Sequence, residues 1–378
     1  MKIKKEKNDI KNSQMKSEAK MQVLSPRQLM WRRFKRHRLA ILGLMILIIF
    51  YTVAIGAEFF APYRLNYRHD EYRNSPPRRP RFVDEEGNFH IRPFVYGMTS
   101  EFDMSTFREI YTVDTSQRMP IYFFTRGEEY TLWNLIETDL RFFGVEDPGT
   151  IFILGTDRQG RDLFSRILFG SRISLSVGLI GVILTIILGS TLGTLSGYFG
   201  GSIDHLVQRL IELLLVFPRI PLWMALAAAV PDHWSSLQVF FMVSVILSLV
   251  NWGGLARQIR GKVLSLRESE FVESAHAIGA STPYIIFRHL IPNVFSHILI
   301  VATMSIPFMI LGETALSFLG LGIRPPLTSW GTLLEEAQSV SVLRNQPWMI
   351  SSVFFVIVAV LAFNMVGDGL RDAADPFS

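Results

Sequence analysis

Apolar runs long enough to cross a bilayer recur along the chain, separated by short polar stretches and once by a long one. About twenty apolar residues are needed to cover the roughly 30 Å of hydrocarbon in a membrane. Residues 39–60, 174–195, 206–230, 237–255, 294–311 and 349–366 meet that requirement and predict six spans. Glycines at Gly178, Gly181, Gly189 and Gly193 allow the second span close helix contacts. Pro218 and Pro221 break the third, and Pro307 sits within the fifth. Such prolines are tolerated where neighbouring helices satisfy the freed carbonyls, which implies a packed bundle around a path. The first run, ending at Ala61-Pro62, competes with a signal peptide, since Ala54, Gly56 and Ala57 are small. Its apolar core is too long for one, and the 38 residues before it are too many.

Charge then sets the orientation. Eight of the nine lysines (Lys2, Lys4, Lys5, Lys7, Lys11, Lys16, Lys20, Lys35) precede the first span, with Arg27, Arg32, Arg33, Arg36 and Arg38. Beside a span, such a tail reads as a cytoplasmic retention signal and not as a nucleic-acid arm. Residues 256–290 carry Arg257, Arg260, Lys262, Arg267 and Arg288, whereas 231–236 carry no Lys or Arg. The basic loop is therefore expected on the cytoplasmic side, and six spans return the C-terminus to that side.

The expected organisation is a basic tail at 1–38, a first span at 39–61, an extracytoplasmic insert at 62–150, and a five-helix core at 151–378 with a loop at 257–292. The stretch 63–83, with Pro76, Pro77 and Pro80, reads as extended. In 89–144 aromatics mix with charges, as in Tyr122-Phe123-Phe124 and Phe142-Phe143, and could cover a small subdomain. The fold class is all-α with this insert, and only the first twenty or so residues read as disordered.

The 378 residues include no cysteine, which excludes disulfides and thiolate metal sites. A phosphate-cradling loop, G-x-x-x-x-G-K-[ST], is missing: Gly261-Lys262 has Ala256 and Val263 where glycine and a hydroxyl belong. No zinc motif or nucleophile elbow occurs, and the eight histidines are scattered. The chain is therefore expected to bind no cofactor or metal and to catalyse nothing itself.

The loop at 257–292 is distinctive. Phe271, Ala275 and Ile278 recur at i, i+4 and i+7, predicting a short helix with one apolar stripe. Glu268, Glu270 and Glu273 occupy its early turns, where the helix dipole favours acids. Gly279 suits its end, and Pro283 opposes continuation. A solvated surface helix would fit this pattern, but small residues at Ser274, Ala275, Ala277, Gly279 and Ala280 favour close docking.

This stretch resembles the E-A-A…G…I-x-L-P loop of ABC importer permeases, with Glu273, Ala275, Gly279 and Pro292 matching. Ser274, His289 and Ile291 depart from that pattern. Two further segments resemble the C-type permease of dipeptide and oligopeptide importers. One runs from Leu154-Gly155-Thr156-Asp157 through Gly160-Arg161-Asp162 to Ser174; the other is Gly312-Glu313-Thr314-Ala315-Leu316-Ser317-Phe318-Leu319-Gly320-Leu321-Gly322, with the closing Gly367-Asp368-Gly369-Leu370-Arg371-Asp372. The resemblance implies a second permease, two ATPase subunits that use ATP-Mg, an extracytoplasmic substrate-binding protein and a bacterial inner-membrane location. It also implies that the loop is a coupling helix seated in an ATPase cleft. The insert lies outside it.

The segment Gly155, Thr156, Asp157, Gly160, Arg161, Asp162 reads either as a polar outer loop near the binding protein or as a turn whose aspartates cap the next helix. Ionisable residues within spans are functional candidates. Glu212 is expected to form an inward-facing ion pair with Arg209 at i, i+3, Arg219 to line the path, and Glu313 to make structural hydrogen bonds where Gly312 permits a turn. The function expected is that of a permease subunit for peptides or other small solutes. The alternatives are oligosaccharide import and, with few intramembrane acids to support it, secondary transport.

Overall fold

The computed structural model describes residues 26–105, 108–133 and 135–374. The lysines before Pro26, and the disorder expected there, lie outside the described residues. The described part of the basic tail is a helix, α1 (Pro26–Phe34). Phe34 is buried, and a Cβ at Gly369 would approach its ring to 3.3 Å, so α1 packs beneath the last helix.

The helices of the bundle are α2 (Arg38–Ile55), α3 (Ala57–Phe60), α4 (Leu163–Phe199), α5 (Gly201–Val216), α6 (Arg219–Ala228), α7 (Ser236–Leu266), α8 (Glu270–Ala277), α9 (Thr282–Ile285), α10 (Ile291–Phe318), α11 (Trp330–Ala337), α12 (Val340–Asn345) and α13 (Ser352–Ala374). Among the described residues five helices are long and apolar enough to cross a membrane: Arg38–Ile55, Leu163–Phe199, Ser236–Leu266, Thr282–Phe318 and Pro347–Ala374. The pair α5 and α6 passes the same test together but bends by 93° at its break. Phe217 before Pro218 is extended (φ −81°, ψ 137°), the conformation that a following proline imposes.

Several helices run past their apolar cores. The second span begins at Leu163 because the buried Asp162 caps it and the charges inside its first turns are paired, so polar side chains do not mark its end. Likewise α7 continues to Leu266, so Arg257, Arg260 and Lys262 lie on a helix and the connection proper is only about residues 267–281. Arg260 is held there by Asp204, with Nε and Nη2 each 2.5 Å from a carboxylate oxygen. Gly312 lies within α10, not at a turn; a Cβ there would meet Leu247 at 2.7 Å.

The main core lies where α4 crosses α7 and α10. A Cβ at Gly193 would sit 2.5 Å from the Ala256 carbonyl oxygen, and one at Gly197 would sit 2.9 Å from that of Arg260. Without side chains on that row the two backbones touch, which is the close approach small residues allow in lipid. Trp330 is fully buried, edge-on to Phe50 at 6.0 Å, and donates its indole N–H to the Ile167 carbonyl at 3.2 Å.

The expectation of an all-α chain fails in the insert. Its strands are β1 (Arg81–Val83), β2 (Phe89–Asp103), β3 (Arg108–Pro120), β4 (Tyr122–Leu132) and β5 (Ile136–Gly144). β1, β2 and β3 form one antiparallel sheet, and β4 and β5 form a separate hairpin. Thr99 stands opposite Thr112, with their hydroxyls 2.9 Å apart, and Met98 opposite Val113, cross-strand pairs that pack well on a pleat. Nor is 63–83 a free extended linker, because it folds back on residues 150–160: Asn74 N–H donates to the Asp157 carbonyl and His69 N–H to that of Gly160. The Arg78 guanidinium lies 4.7 Å from the Tyr72 ring and 4.9 Å from that of Phe152.

Candidate docking loops and transport path

The short helix α8 sits in the connection between α7 and the membrane helix that begins at α9. Its C-terminal end closes with Gly279 N–H donating to the His276 carbonyl and Ala280 N–H to that of Ala275. This closure requires the left-handed φ of +79° that Gly279 adopts. Val272 and Ala275 are buried against Ile259, Val263, Ile285 and Leu290. The apolar stripe expected from Phe271, Ala275 and Ile278 is thus only partly right: Ala275 faces inward, but Phe271 and Ile278 are exposed, Ile278 by 84%. Their places are taken by Val272, which lies three residues before Ala275 and so shares its face. Glu273, Ser274 and Ala277 are exposed beside Ile278 and Gly279, Ala280 is half-buried, and Pro292 is exposed in the first turn of α10. Sequence reading missed two other exposed apolar side chains nearby, Tyr284 and Phe287; both lay in a stretch read only as loop. Tyr198, near the end of α4, bonds the His276 ring (3.1 Å) and steadies the helix from behind.

At the opposite end of α4, the six loop residues form one tight loop, closed by a Thr156–Asp162 backbone bridge and holding two polar clusters. Asp157 accepts from the backbone N–H of Gln159 (2.7 Å) and Arg161 (3.0 Å) and from the guanidinium groups of Arg161 (2.6 Å) and Arg166 (2.7 Å). Arg166, with a side chain 3% exposed, also reaches Glu336 on α11 with both terminal nitrogens (2.5 and 2.7 Å). Asp162 is the cap: its carboxylate accepts from the Ser165 N–H (2.7 Å) and hydroxyl (2.6 Å). Burial pushes its carboxyl up to about 7 despite those bonds. Only one of the two aspartates caps the helix; Asp157 is the hub of the ion pairs instead. Thr156 is buried, and Gly155 and Gly160 carry φ of +78° and +71°. A Cβ at Gly160 would fall 2.1 Å from the His69 carbonyl oxygen, so the insert and this loop pack backbone to backbone there. What the loop exposes is Arg158 and Gln159.

The span residues separate into three environments. Glu313 is fully buried in α10 and accepts from the hydroxyls of Ser174 (3.0 Å) and Ser317 (2.7 Å). Glu212 does pair with Arg209 (2.9 Å), but both side chains are exposed, not inward-facing, because α5 buries Val207 and Ile211 instead. Arg219 is exposed at the start of α6 and lines a cleft with Asn251, Gln258, His297, Met304 and Arg371. Within that cleft His297 Nε2 and the Gln258 side-chain oxygen lie 3.1 Å apart. Among the described residues no cluster of histidine and carboxylate groups could hold a metal ion.

Comparison with known families decides what this arrangement belongs to. The family of binding-protein-dependent transport system inner membrane components matches residues 189–377, half of the chain. The chain is a member of that family. The N-terminal transmembrane domain of oligopeptide transport permease C matches residues 25–77, which makes it a C-type peptide ABC permease. The oligopeptide transport system permease protein OppC of Haemophilus influenzae is 38% identical over 68% of this chain and 78% of its own length. The glutathione transport system permease protein GsiD of Pectobacterium atrosepticum is 39% identical over 61% of this chain and 74% of its own. The dipeptide transport system permease protein DppC of Alkalihalophilus pseudofirmus is likewise 39% identical over 61% and 74%. Among solved structures, an inward facing form of the MetNI methionine ABC transporter aligns with 56% of this chain and 97% of that chain, at a TM-score of 0.44 and 14% identity. Neither family match includes residues 78–188, which contain all five strands.

Proposed function

We infer that the chain crosses the bacterial inner membrane six times, with the bent pair α5–α6 as one crossing and both termini in the cytoplasm. It forms, with a second permease, the path by which an ATP-driven importer moves peptides. Two ATPase subunits that bind ATP-Mg and an extracytoplasmic binding protein complete the assembly. The observation that carries this reading is α8, a helix anchored by Val272 and Ala275 that leaves Glu273, Ala277 and Ile278 exposed. Closure of the ATPase pair on ATP would move this helix, and with it Ile259, Val263 and Leu290 at the membrane ends of α7 and α10. Cargo would pass the cleft that holds Arg219, while the binding protein would meet the exposed Arg158 and Gln159 of the outer loop and the β1–β2–β3 sheet.

Reconstitution of the complete complex in vesicles tests the reading. ATP-driven uptake of a labelled peptide that requires the binding protein supports it. Uptake of oligosaccharide but not peptide would redirect the cargo assignment, and uptake without ATP would overturn the mechanism.

A further inference from the structure

The β4–β5 hairpin packs on α3 and reaches the Ile55 end of the membrane helix α2. At its base, Phe142 packs against Phe59 (5.9 Å) and Phe60 (5.4 Å) of α3, and Phe124 stands 6.3 Å from Phe59. At its tip, Trp133 donates its indole N–H to the Ile55 carbonyl at 2.8 Å, the last residue of α2. The Trp133 backbone adopts a φ of +52°, unusual for a bulky residue, at the turn that directs this contact. Trp133 also borders a cleft with Tyr51, Ala54 and Leu175. Ile55 lies five residues, or about 7 Å, before Phe60 at about 1.5 Å per residue. From base to tip the hairpin therefore descends from α3 to the Ile55 end of α2.

Its chemistry changes along that descent. Charges occupy its middle, where Arg126 pairs with Asp139 and Arg141 bonds the Ala61 carbonyl at 2.7 Å, and they end at Glu129 and Glu137 on either side of the tip. Residues 130–136, Tyr-Thr-Leu-Trp-Asn-Leu-Ile, carry no charge. Leu135 is 79% exposed, Ile136 55% and Trp133 52%, an apolar tip that none of the described residues covers. It continues the apolar outer surface of α2, where Ile48, Ile49 and Ile55 are exposed in the same way.

We propose that the β4–β5 tip is an interfacial anchor, inserted among the lipid headgroups and upper acyl chains of the leaflet at the Ile55 end of α2. Tryptophan with leucine and isoleucine suits that zone, because the indole N–H stays satisfied while the ring is apolar. A two-stranded ribbon has unpaired edge groups, which the headgroup region tolerates and the hydrocarbon centre does not. The anchor fixes the insert against the membrane, so that the first sheet is held at a set height above the bundle.

The chain has no cysteine, so a single one can be labelled on this subunit. Leu135→Cys and, separately, Ile136→Cys would carry a nitroxide in the full complex, in vesicles of phosphatidylethanolamine and phosphatidylglycerol. Ile91→Cys on β2, at a position 89% exposed, is the reference. Oxygen should relax the tip labels several-fold more effectively than a water-soluble nickel chelate does, with the opposite order at position 91. Access by the nickel chelate equal to that at position 91 would overturn the proposal and place the tip in water. Shielding from both reagents would also overturn it, since a protein partner would then cover the tip.

Discussion

Removing the carboxyl of Glu313 should loosen the outer half of the bundle by an amount the geometry sets. Its two oxygens accept from Ser174 and Ser317, both fully buried. Those hydroxyls in turn accept from the backbone N–H of Trp330 (3.1 Å) and Ile323 (3.1 Å), so one side chain knots α4, α10 and the turn into α11. Glu313→Ala orphans two buried hydroxyl donors, each at about 1–3 kcal/mol. Ser317 can rotate toward the carbonyl four residues before it, which reduces its share to the lower end of that range. A small void adds about 1 kcal/mol to the loss, and the sum is about 3–5 kcal/mol. Glu313→Gln keeps the volume and one acceptor and should lose about half as much. Thermal unfolding of the purified complex, read by tryptophan fluorescence with Trp330 beside the site, should rank wild type above Glu313→Gln above Glu313→Ala. Equal melting of all three would refute the role of Glu313 as the knot.

Two further predictions concern the seam between the insert and the loop before α4. Arg166→Met leaves Asp157 and Glu336 with Arg161 as their remaining guanidinium, at 2.6 and 3.3 Å, so the loss should be about 2–3 kcal/mol, below the usual 3–5 for a broken buried pair; equal melting of variant and wild type would contradict it. Burial, with the nearby Arg78 charge, pushes the His69 imidazole down to about 4 from its ordinary 6.5. Between those values the unfolded chain takes up the proton and the folded seam does not, so this stability is complete above about 6.5 and is lost on acidification toward about 4. Protection factors in residues 69–78, corrected for the intrinsic pH dependence of amide exchange, should fall across that window in the wild type and stay flat in His69→Phe; identical profiles would contradict it.

The membrane character was legible because apolar runs in lipid need no tertiary context. Their ends were not, since Arg166, Arg172 and Arg260 look like loop residues until the partners that neutralise them are known. In α8 the period was right but the phase was not: Val272, Phe271 and Ile278 are all apolar, and only the packing of Ile259 and Leu290 selects Val272. The insert was harder still. Its aromatics suggested a folded unit, but strand pairing such as Thr99 with Thr112 is a relation between distant residues that local composition does not encode. Gly155 and Gly160 lie in a segment that the sequence marks as a polar loop or turn, whereas their tight contacts with Trp348 and His69 become visible only in three dimensions.

The coupling role of α8 is the central claim, and Glu273 is the place to test it, being exposed and therefore replaceable without disturbing the fold. The measurement is co-purification of the ATPase subunits with the Glu273→Arg permease, together with ATP-driven uptake by the same preparation. The account predicts loss of the ATPase and of uptake while the variant still inserts and melts like wild type. Retention of the ATPase with unchanged uptake would contradict it.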